Sequence, residues 1–339
     1  LLGGEIVAVK GVGGFHLFAD ATNERTVAEL RRRKHRDAKP FAVMFRDVAM
    51  LRTYADVSPA EESLLTSAAA PIVLLARRAS ARLAPGVAPK NPWLGALLPY
   101  APLHVLLLAA LDRPVVATSA NRAEEPLCAD EAGAQEPLAG IADAFLEHNR
   151  PIAHPVDDSV VRLAGETPLL LRRARGYAPT PLRLPAAIDG HWLCVGAQMK
   201  NTVAVAAGAS VTLSPHIGDL GGAATHEAFA RTIETLRALH GRAFTAVACD
   251  KHPDYGSTRF AERCGVPIVA VQHHLAHVLA CLLEHRQSAD DVLGVAWDGT
   301  GYGEDGTIWG GEFIALDQGV AERVAALRLV HERERDARD

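Results

Sequence analysis

Three histidines fall within five positions in "VQHHLAH", residues 271–277, directly after a short apolar run. On a helix, residues four apart lie about 40° from each other, so His273 and His277 point the same way. Leu275, Leu279 and Leu282 form a stripe on nearly the opposite side, the natural core face. That arrangement weakens the reading of two packed core histidines and leaves a solvated polar face or a metal-binding face. His274 points between the two faces, which suits a structural polar contact. Asp298 ends the next strand pattern and precedes the Gly-rich "GTGYG". Two imidazoles at i and i+4 plus a carboxylate suit zinc or iron, with open positions left for substrate. Each ligating imidazole needs an acceptor for its other nitrogen, and the sequence names none.

A second set of residues suits an anion. "RRRKHRDAKPF" puts Lys34, Arg36 and Lys39 where a helix leaves for a strand. The plain alternative is a solvated basic end that complements the helix dipole. Downstream, "VVATSAN" is a strand ending in Thr118, Ser119 and Asn121. "HPVDDSVVR" carries Asp157, Asp158 and Ser159, and "LLRRARGYAP" carries Arg172, Arg173 and Arg175. Cations and hydroxyls gathered at strand ends suit a triphosphate and an acyl group. Asp157 and Asp158 read as ordering the Ser159 turn or holding a magnesium ion, with an acid–base pair as the alternative. "KGVGGFHL" lacks the register of a dinucleotide loop, and there is no Walker lysine motif.

The elements that must position these residues alternate between strand and helix, so the class is α/β. "EIVAVKGVGGFHL" reads as a strand and a Gly-rich turn. "DATNERTVAELRRRK" reads as a helix capped by Asp20 or Thr22, with Val27 and Leu30 facing inward. "PFAVMF", "PIVLLA" and "PVVAT" read as strands and "APLHVLLLAAL" as a helix. The proline-rich "TPLLLRRARGYAPTPLRLPAAIDGHW" ends the first unit, with a boundary near residues 180–190. The second unit opens with three antiparallel strands in "LCVGAQMKNTVAVAAGASVTLSPHIGD". Helices and strands then alternate up to a last hairpin, "DGTGYGEDGTIWGGEFIAL". That order matches the ribonuclease-H-like half of an actin-like ATPase domain.

The 339 residues fit two domains, and 49% hydrophobic with 22% charged residues is an ordinary globular composition. A net charge of -5 gives no basic excess for holding nucleic acid, which is not expected as a partner. The five cysteines, Cys128, Cys194, Cys249, Cys264 and Cys281, contain no C-x-x-C pair, so neither a zinc ribbon nor a disulfide framework is indicated. A reduced cytoplasmic setting is expected. No apolar run reaches the roughly 18 residues of a membrane span, and no membrane association is expected. The chain starts "LLGGEIVAVK" and ends in the charged run "HERERDARD". Both ends read as cut, so a fragment is expected.

Taken as an ordered set, the motifs carry a resemblance. "KHRDAKPFAVM", "LLPYAPLH", "ATSAN", "HPVDDSVVR" and "RRARGYAP" resemble the YrdC-like domain of the HypF hydrogenase-maturation carbamoyltransferases. "VGAQMKNTVAV", "SPHIGDL", "CDKHPDYGST", "QHHLAH" and "AWDGTGYGEDGTIWGGEF" resemble that family's TsaD-like domain. The resemblance implies a YrdC-like domain at 1–185 and an incomplete TsaD-like carbamoyl-transfer domain at 190–339. It implies that ATP and carbamate, from carbamoyl phosphate, form carbamoyl-adenylate in the first domain. In the second, the carbamoyl group passes to the C-terminal cysteine of a HypE-type acceptor, on the way to a cyanide ligand of a nickel–iron site. The implied cofactors are ATP, Mg2+ and an iron or zinc ion.

By the same resemblance, Lys34, Arg36 and Lys39 neutralise the triphosphate as pyrophosphate leaves, and Arg172 is a catalytic nucleotide and acyl contact. Ser119, Asn121, Ser159 and Arg175 line the nucleotide and acyl site. Lys200, Asn201 and Thr202 lie at a strand turn where actin-like folds contact phosphate. His273, His277 and Asp298 are the metal ligands. The family's acylphosphatase-like domain and zinc modules have no counterpart in these residues, and the second domain lacks its second half with a further metal-ligating Asp. Overall transfer from carbamoyl phosphate is thereby put in doubt for this chain. Three other readings stay open: an O-carbamoyltransferase of antibiotic synthesis, which has the domains in the opposite order; an enzyme of tRNA threonylcarbamoyladenosine synthesis; and a YrdC-like RNA-binding module.

Overall fold

The computed structural model describes residues 1–121 and 138–327; Cys128 and the terminal charged run lie outside them. The chain divides into two compact units. One comprises Leu1–Thr180 with Ser214–Ala228, the other Pro181–Leu213 with the residues from Phe229 onward. The sequence reading assigned all residues after 190 to the second domain, so the return of Ser214–Ala228 to the first unit departs from it.

The first unit holds a nine-stranded mixed sheet. Its elements are β1 (Val7–Lys10), β2 (Phe15–Asp20), α1 (Glu24–Lys34), β3 (Ala42–Met44), α2 (Val48–Leu51), α3 (Pro59–Leu65), β4 (Ile72–Ala76), β5 (Trp93–Leu97), α4 (Pro102–Leu111), β6 (Val115–Ser119), β7 (Ala144–Leu146), β8 (Val160–Ala164) and β9 (Thr167–Arg172). The strand order is β7-β1-β2-β6-β3-β5-β4-β8-β9. Side chains alternate across each strand, so β2 sends Phe15 and Leu17 to one core, with Val27 and Leu30 of α1. It sends Phe18 to the other, with Leu108 of α4. The cap of α1 is Asn23, whose Oδ1 accepts from Thr26 N at 3.2 Å, rather than Asp20 or Thr22. Asp20 instead accepts from the Thr22 amide and hydroxyl at 2.8 and 2.6 Å. Four arginines and lysines crowd the last turn of α1, where the dipole favours them.

The second unit holds β10 (Leu182–Cys194), β11 (Ala204–Leu213), β12 (Ala246–Asp250), α6 (Gly256–Glu262), β13 (Ile268–Val271), α7 (His273–Glu284), β14 (Val292–Tyr302), β15 (Ile308–Asp317) and β16 (Val320–Ala326). Helix α5 (Ala223–His240) precedes β12 and buries Phe229, Ile233 and Leu236 at helical spacing. One sheet runs β11-β10-β12-β13, the other β14-β15-β16. The expected third antiparallel strand does not form. β10 starts back in the proline-rich stretch and pairs along β11 with two register shifts, and β11 runs unbroken to Leu213. "SPHIGD" is therefore free of the sheet. The core face of α7 is centred on His274 and Val278. Leu275 and Leu282 pack beside them, but Leu279 is exposed, which corrects the expected leucine stripe.

Candidate anion and metal sites

In the first unit the basic helix end is tied down, not loose. Lys34 is buried; its ammonium donates to Ser119 O and, at 3.0 Å each, to Asn121 O and Oδ1. Ser119 Oγ donates to Asn121 Oδ1 at 2.7 Å. Lys34, Ser119 and Asn121 thus form one knot fixing the end of β6 to the end of α1. A residue the sequence reading passed over, Arg31, shapes the loop that follows. Its guanidinium donates to Gly86 O at 2.6 Å, Arg36 O at 2.6 Å and Lys39 O at 3.3 Å. Arg31 and Arg36 lie over the Phe41 ring, at 4.5 and 5.1 Å from its centroid. Burial pushes the Arg36 guanidinium down to about 10, helped by the charges of Arg31 and Arg172, so it stays a cation at neutral pH. Lys39, at the loop's outer edge, is exposed.

The other wall is built on β8 and β9. Arg172 pairs with Asp157 at 2.5 Å, and Asp157 Oδ1 accepts from Asp158 N at 2.8 Å, so Asp157 orders this turn. Arg175 donates to Asp158 Oδ1 at 2.8 Å and to the carbonyls of Ala69 and Ala70 at 3.0 and 2.8 Å, and lies 3.5 Å over Tyr100. His16 Nε2 meets Asp158 Oδ2 at 3.0 Å. Burial pulls the Asp158 carboxyl up, but the His16 and Arg175 contacts outweigh it and hold the group well below the usual carboxylate range. Ser159 is fully buried, its Oγ accepting from Ala174 N and donating to Arg175 O at 2.8 and 2.9 Å. Lys34, Ser159 and Arg175, expected to face a ligand, are thus committed to the wall. Arg36 is also held, donating to Lys39 O and Pro40 O at 3.2 and 2.6 Å, and Arg172 is held by Asp157; Arg172 lies close enough to Arg36 for its charge to act on it.

In the second unit, Gln272 caps α7, accepting from Leu275 N at 2.9 Å. Its amide also reaches His274 Nδ1 at 2.9 Å, so His274 is a buried structural contact. Capping places His273 at the first helical position and His277 one turn on. β14 carries two extra residues between Trp297 and Gly301 relative to β15, a bulge that re-aims the strand at Asp298. Asp298 is thus mid-strand and not at a strand end. α7 approaches β14 closely because Gly294 and Gly301 leave room: a Cβ at either would sit 2.4 Å from Val278 or His274.

The result is a convergence. His273 Nε2 lies 3.0 Å and His277 Nε2 3.3 Å from Asp298 Oδ2, and the two Nε2 atoms are 3.2 Å apart. All the donor atoms of this trio fall within 4.8 Å of one another. The acceptor missing from the sequence reading is Asp250 at the end of β12, whose Oδ2 meets His273 Nδ1 at 2.6 Å. With that proton on Nδ1, His273 turns a lone pair toward His277 and Asp298. A shared proton or a cation joins three such atoms, and two imidazole nitrogens with a carboxylate and an acid behind one ring are a donor set that fits iron or zinc. The Asp250 hydrogen bond, opposed by burial, and the charges of Asp250 and Asp298 raise the His273 pKa. Asp298 goes the other way: burial raises it, but Gly299 N–H and the histidines bring it below its ordinary value. The site borders a cleft of about 410 Å³ lined by Cys281, Gly294 and Trp297 among others.

Lys200, Asn201 and Thr202 lie between β10 and β11. Asn201 is buried, its amide donating to Val195 O and Ala197 O at 2.9 and 2.6 Å, so it closes the loop; Lys200 is exposed. Among the described residues no helix is long and apolar enough to cross a membrane.

Residues 1–174 match the Sua5/YciO/YrdC family, described as "Telomere recombination". Residues 188–284 match the "HypF Kae1-like domain", and 294–333 the "Carbamoyltransferase, Kae1-like Domain, second subdomain". Over 97% of its length the chain is 48% identical to the carbamoyltransferase HypF of Synechocystis sp., of which it spans 43%. Against the HypF of Rhizobium leguminosarum bv. viciae it is 46% identical over 96% of its length and 44% of the relative. A crystal structure of full-length HypF in the phosphate- and nucleotide-bound form superposes with a TM-score of 0.93 at 45% identity, covering 97% of this chain and 43% of that one. T. kodakarensis HypF gives 0.91 at 38% identity, over 96% and 43%. The chain spans less than half the length of each. It belongs to the HypF carbamoyltransferase family, as a YrdC-like domain followed by the Kae1-like domain.

Proposed function

We propose that the first unit makes carbamoyl-adenylate and that the second passes the carbamoyl group to a protein thiol, the C-terminal cysteine of a HypE-type acceptor in nickel–iron hydrogenase maturation. The observation that carries the reading is the meeting of His273, His277 and Asp298 with Asp250 behind them. In the first step a carbamate oxygen attacks the α-phosphorus of ATP and the bond to pyrophosphate breaks. Lys39, Arg36 and Arg172 offset the charge that grows on the leaving pyrophosphate, with Mg2+ accompanying the nucleotide. The Lys34 knot and the Arg31 bonds hold the loop in place before substrate arrives, so little reorganisation is needed in the transition state. In the second step the acceptor's thiolate attacks the carbamoyl carbon and AMP leaves. His273, His277 and Asp298 would hold an iron or zinc ion, which when bound supplies Lewis-acid polarisation of a carbonyl or a grip on a phosphate. Asp250 keeps the His273 ring turned toward that position.

The test is ATP–pyrophosphate exchange on this chain with bicarbonate or carbamoyl phosphate, alongside metal analysis. Lys39→Ala should slow exchange by about 10²-fold or more. His277→Ala should leave exchange intact and lose the metal. Exchange that is absent in the parent chain, or indifferent to Lys39→Ala, refutes the adenylation half; metal retained in His277→Ala refutes the transfer half.

A further inference from the structure

β14 sets Asp298, Gly299 and Thr300 opposite a single residue of β15, Gly310, because Trp297 pairs with Gly311 and Gly301 with Trp309. The ladder is interrupted there, and the buried Gly310 N–H needs another acceptor. It finds one in a side chain of its own strand: Glu312 Oε1 accepts from Gly310 N at 3.1 Å. Glu312 is only 1% exposed, and a carboxylate so buried requires a cationic partner. Arg323 of β16 supplies it, donating to Oε2 and Oε1 at 2.6 and 3.1 Å. The same guanidinium lies 4.1 Å over the Trp309 ring, whose Nε1 donates to Asp305 Oδ1 at 2.9 Å. The strand facing the bulge is thus braced from the hairpin turn to β16. The bulge rests on it: a Cβ at Gly310 would stand 3.5 Å from Gly299 O and 3.7 Å from Asp298 O. Within the bulge, Gly299 N–H donates to Asp298 Oδ1 at 2.7 Å, while Oδ2 meets His273 and His277.

We propose that Glu312 is a positioning residue of the His273–His277–Asp298 trio. By holding the Gly310 N–H it fixes the backbone on which the bulge rests, and through it the direction of the Asp298 carboxylate. The inference rests on the reading of the trio as metal ligands and adds a residue which that reading lacks. Both Glu312 oxygens are taken by Gly310 and Arg323, so it acts through the backbone and not as a fourth ligand. Without the acceptor a buried N–H is left unpaired. The strand then shifts to find another partner and carries the bulge, and Asp298 Oδ2, away from the two imidazoles.

Two substitutions separate the bond from the charge. Glu312→Asp keeps a carboxylate for Arg323 and gives up the reach to Gly310. Glu312→Gln keeps an oxygen acceptor for Gly310 and gives up the charge. Co2+ is titrated into this chain and its variants in competition with a chelator of known affinity, and the visible absorption of the bound ion reads its ligand geometry. Glu312→Asp should bind Co2+ about tenfold more weakly, the low end for residues behind a metal ligand, with an altered spectrum. Glu312→Gln should keep the parent's affinity and spectrum. Glu312→Leu, which buries no charge, serves if Glu312→Asp does not fold, and should show the same loss. Parent-like binding and spectrum in Glu312→Asp and Glu312→Leu, or a loss that falls on Glu312→Gln instead, overturns the role given to Glu312 and leaves the metal site standing. No Co2+ binding by the parent overturns both.

Discussion

In the first unit the cations have already found partners: Lys34 the Asn121 amide oxygen, Arg175 the Asp158 carboxylate, Arg172 that of Asp157. In the second unit the chemistry-bearing groups converge within 3.0–3.3 Å of one another, with His273 tied from behind by Asp250 and Asp298 by the Gly299 N–H. The contrast follows from what each site would bind. A phosphate chain brings its own charge and many oxygens, so the protein needs a rigid wall with a few cations on its rim. A metal ion brings positive charge to a point, so the protein must aim lone pairs at that point. One site stores its organisation in satisfied pairs; the other stores it in helix register and a strand bulge.

The largest test of that contrast removes a wall pair. Arg175 and Asp158 have side-chain exposures of only 13% and 5%, so Arg175→Ala leaves the buried Asp158 carboxylate with His16 as its remaining side-chain partner. Breaking a buried pair from one side costs about 3–5 kcal/mol. Urea denaturation of Arg175→Ala should show a loss of that size. His277→Ala should change stability little without metal, because the His277 side chain is 57% exposed. A reversal of the two results would break the comparison.

A smaller effect sharpens the second site. Asp250→Asn keeps the shape behind His273 but removes the carboxylate that orients the ring. Changes of this kind lower metal affinity about 10–100-fold. Competition with a chelator of known affinity measures it, and an unchanged affinity would mean that the ring is held by packing alone.

These two residues also show what the sequence could and could not disclose. His273 and His277 are legible because i, i+4 spacing on an amphipathic helix is a local property, and Asp298 because it follows an apolar run and precedes glycines. Asp250 is 23 residues before His273 and joins it only because β12 and β13 pair in parallel, ending side by side. Nothing local marks that. Lys34, Ser159 and Arg175 were legible as types, and their burial was not. A cation at a helix end reads the same whether it meets water or Asn121. The expected third strand fails for a different reason: β11 continues through Gly208–Ser210, where the sequence suggests a turn, and Pro215 and Gly218 then end it locally.

The smallest effect concerns the core of the first unit, and its direction is fixed by linkage. His104 on α4 is fully buried, with neither ring nitrogen partnered, edge-on to Tyr100 and His16. Burial and then His16 push its imidazole down to about 3 from 6.5, against the pull of Asp158. The folded state thus holds this ring neutral while the unfolded chain protonates it below 6.5. Stability from this group is complete above that value and falls as pH drops toward 3, by roughly 1.4 kcal/mol per unit once the unfolded ring is charged. Between pH 7 and pH 5 the loss should be about 2 kcal/mol. His104→Leu keeps the volume and removes the titration, so its denaturation midpoint should fall less over the same interval. Equal losses in both proteins would mean that the ring is not held neutral, and that the first unit's core carries a charge its wall was built to exclude.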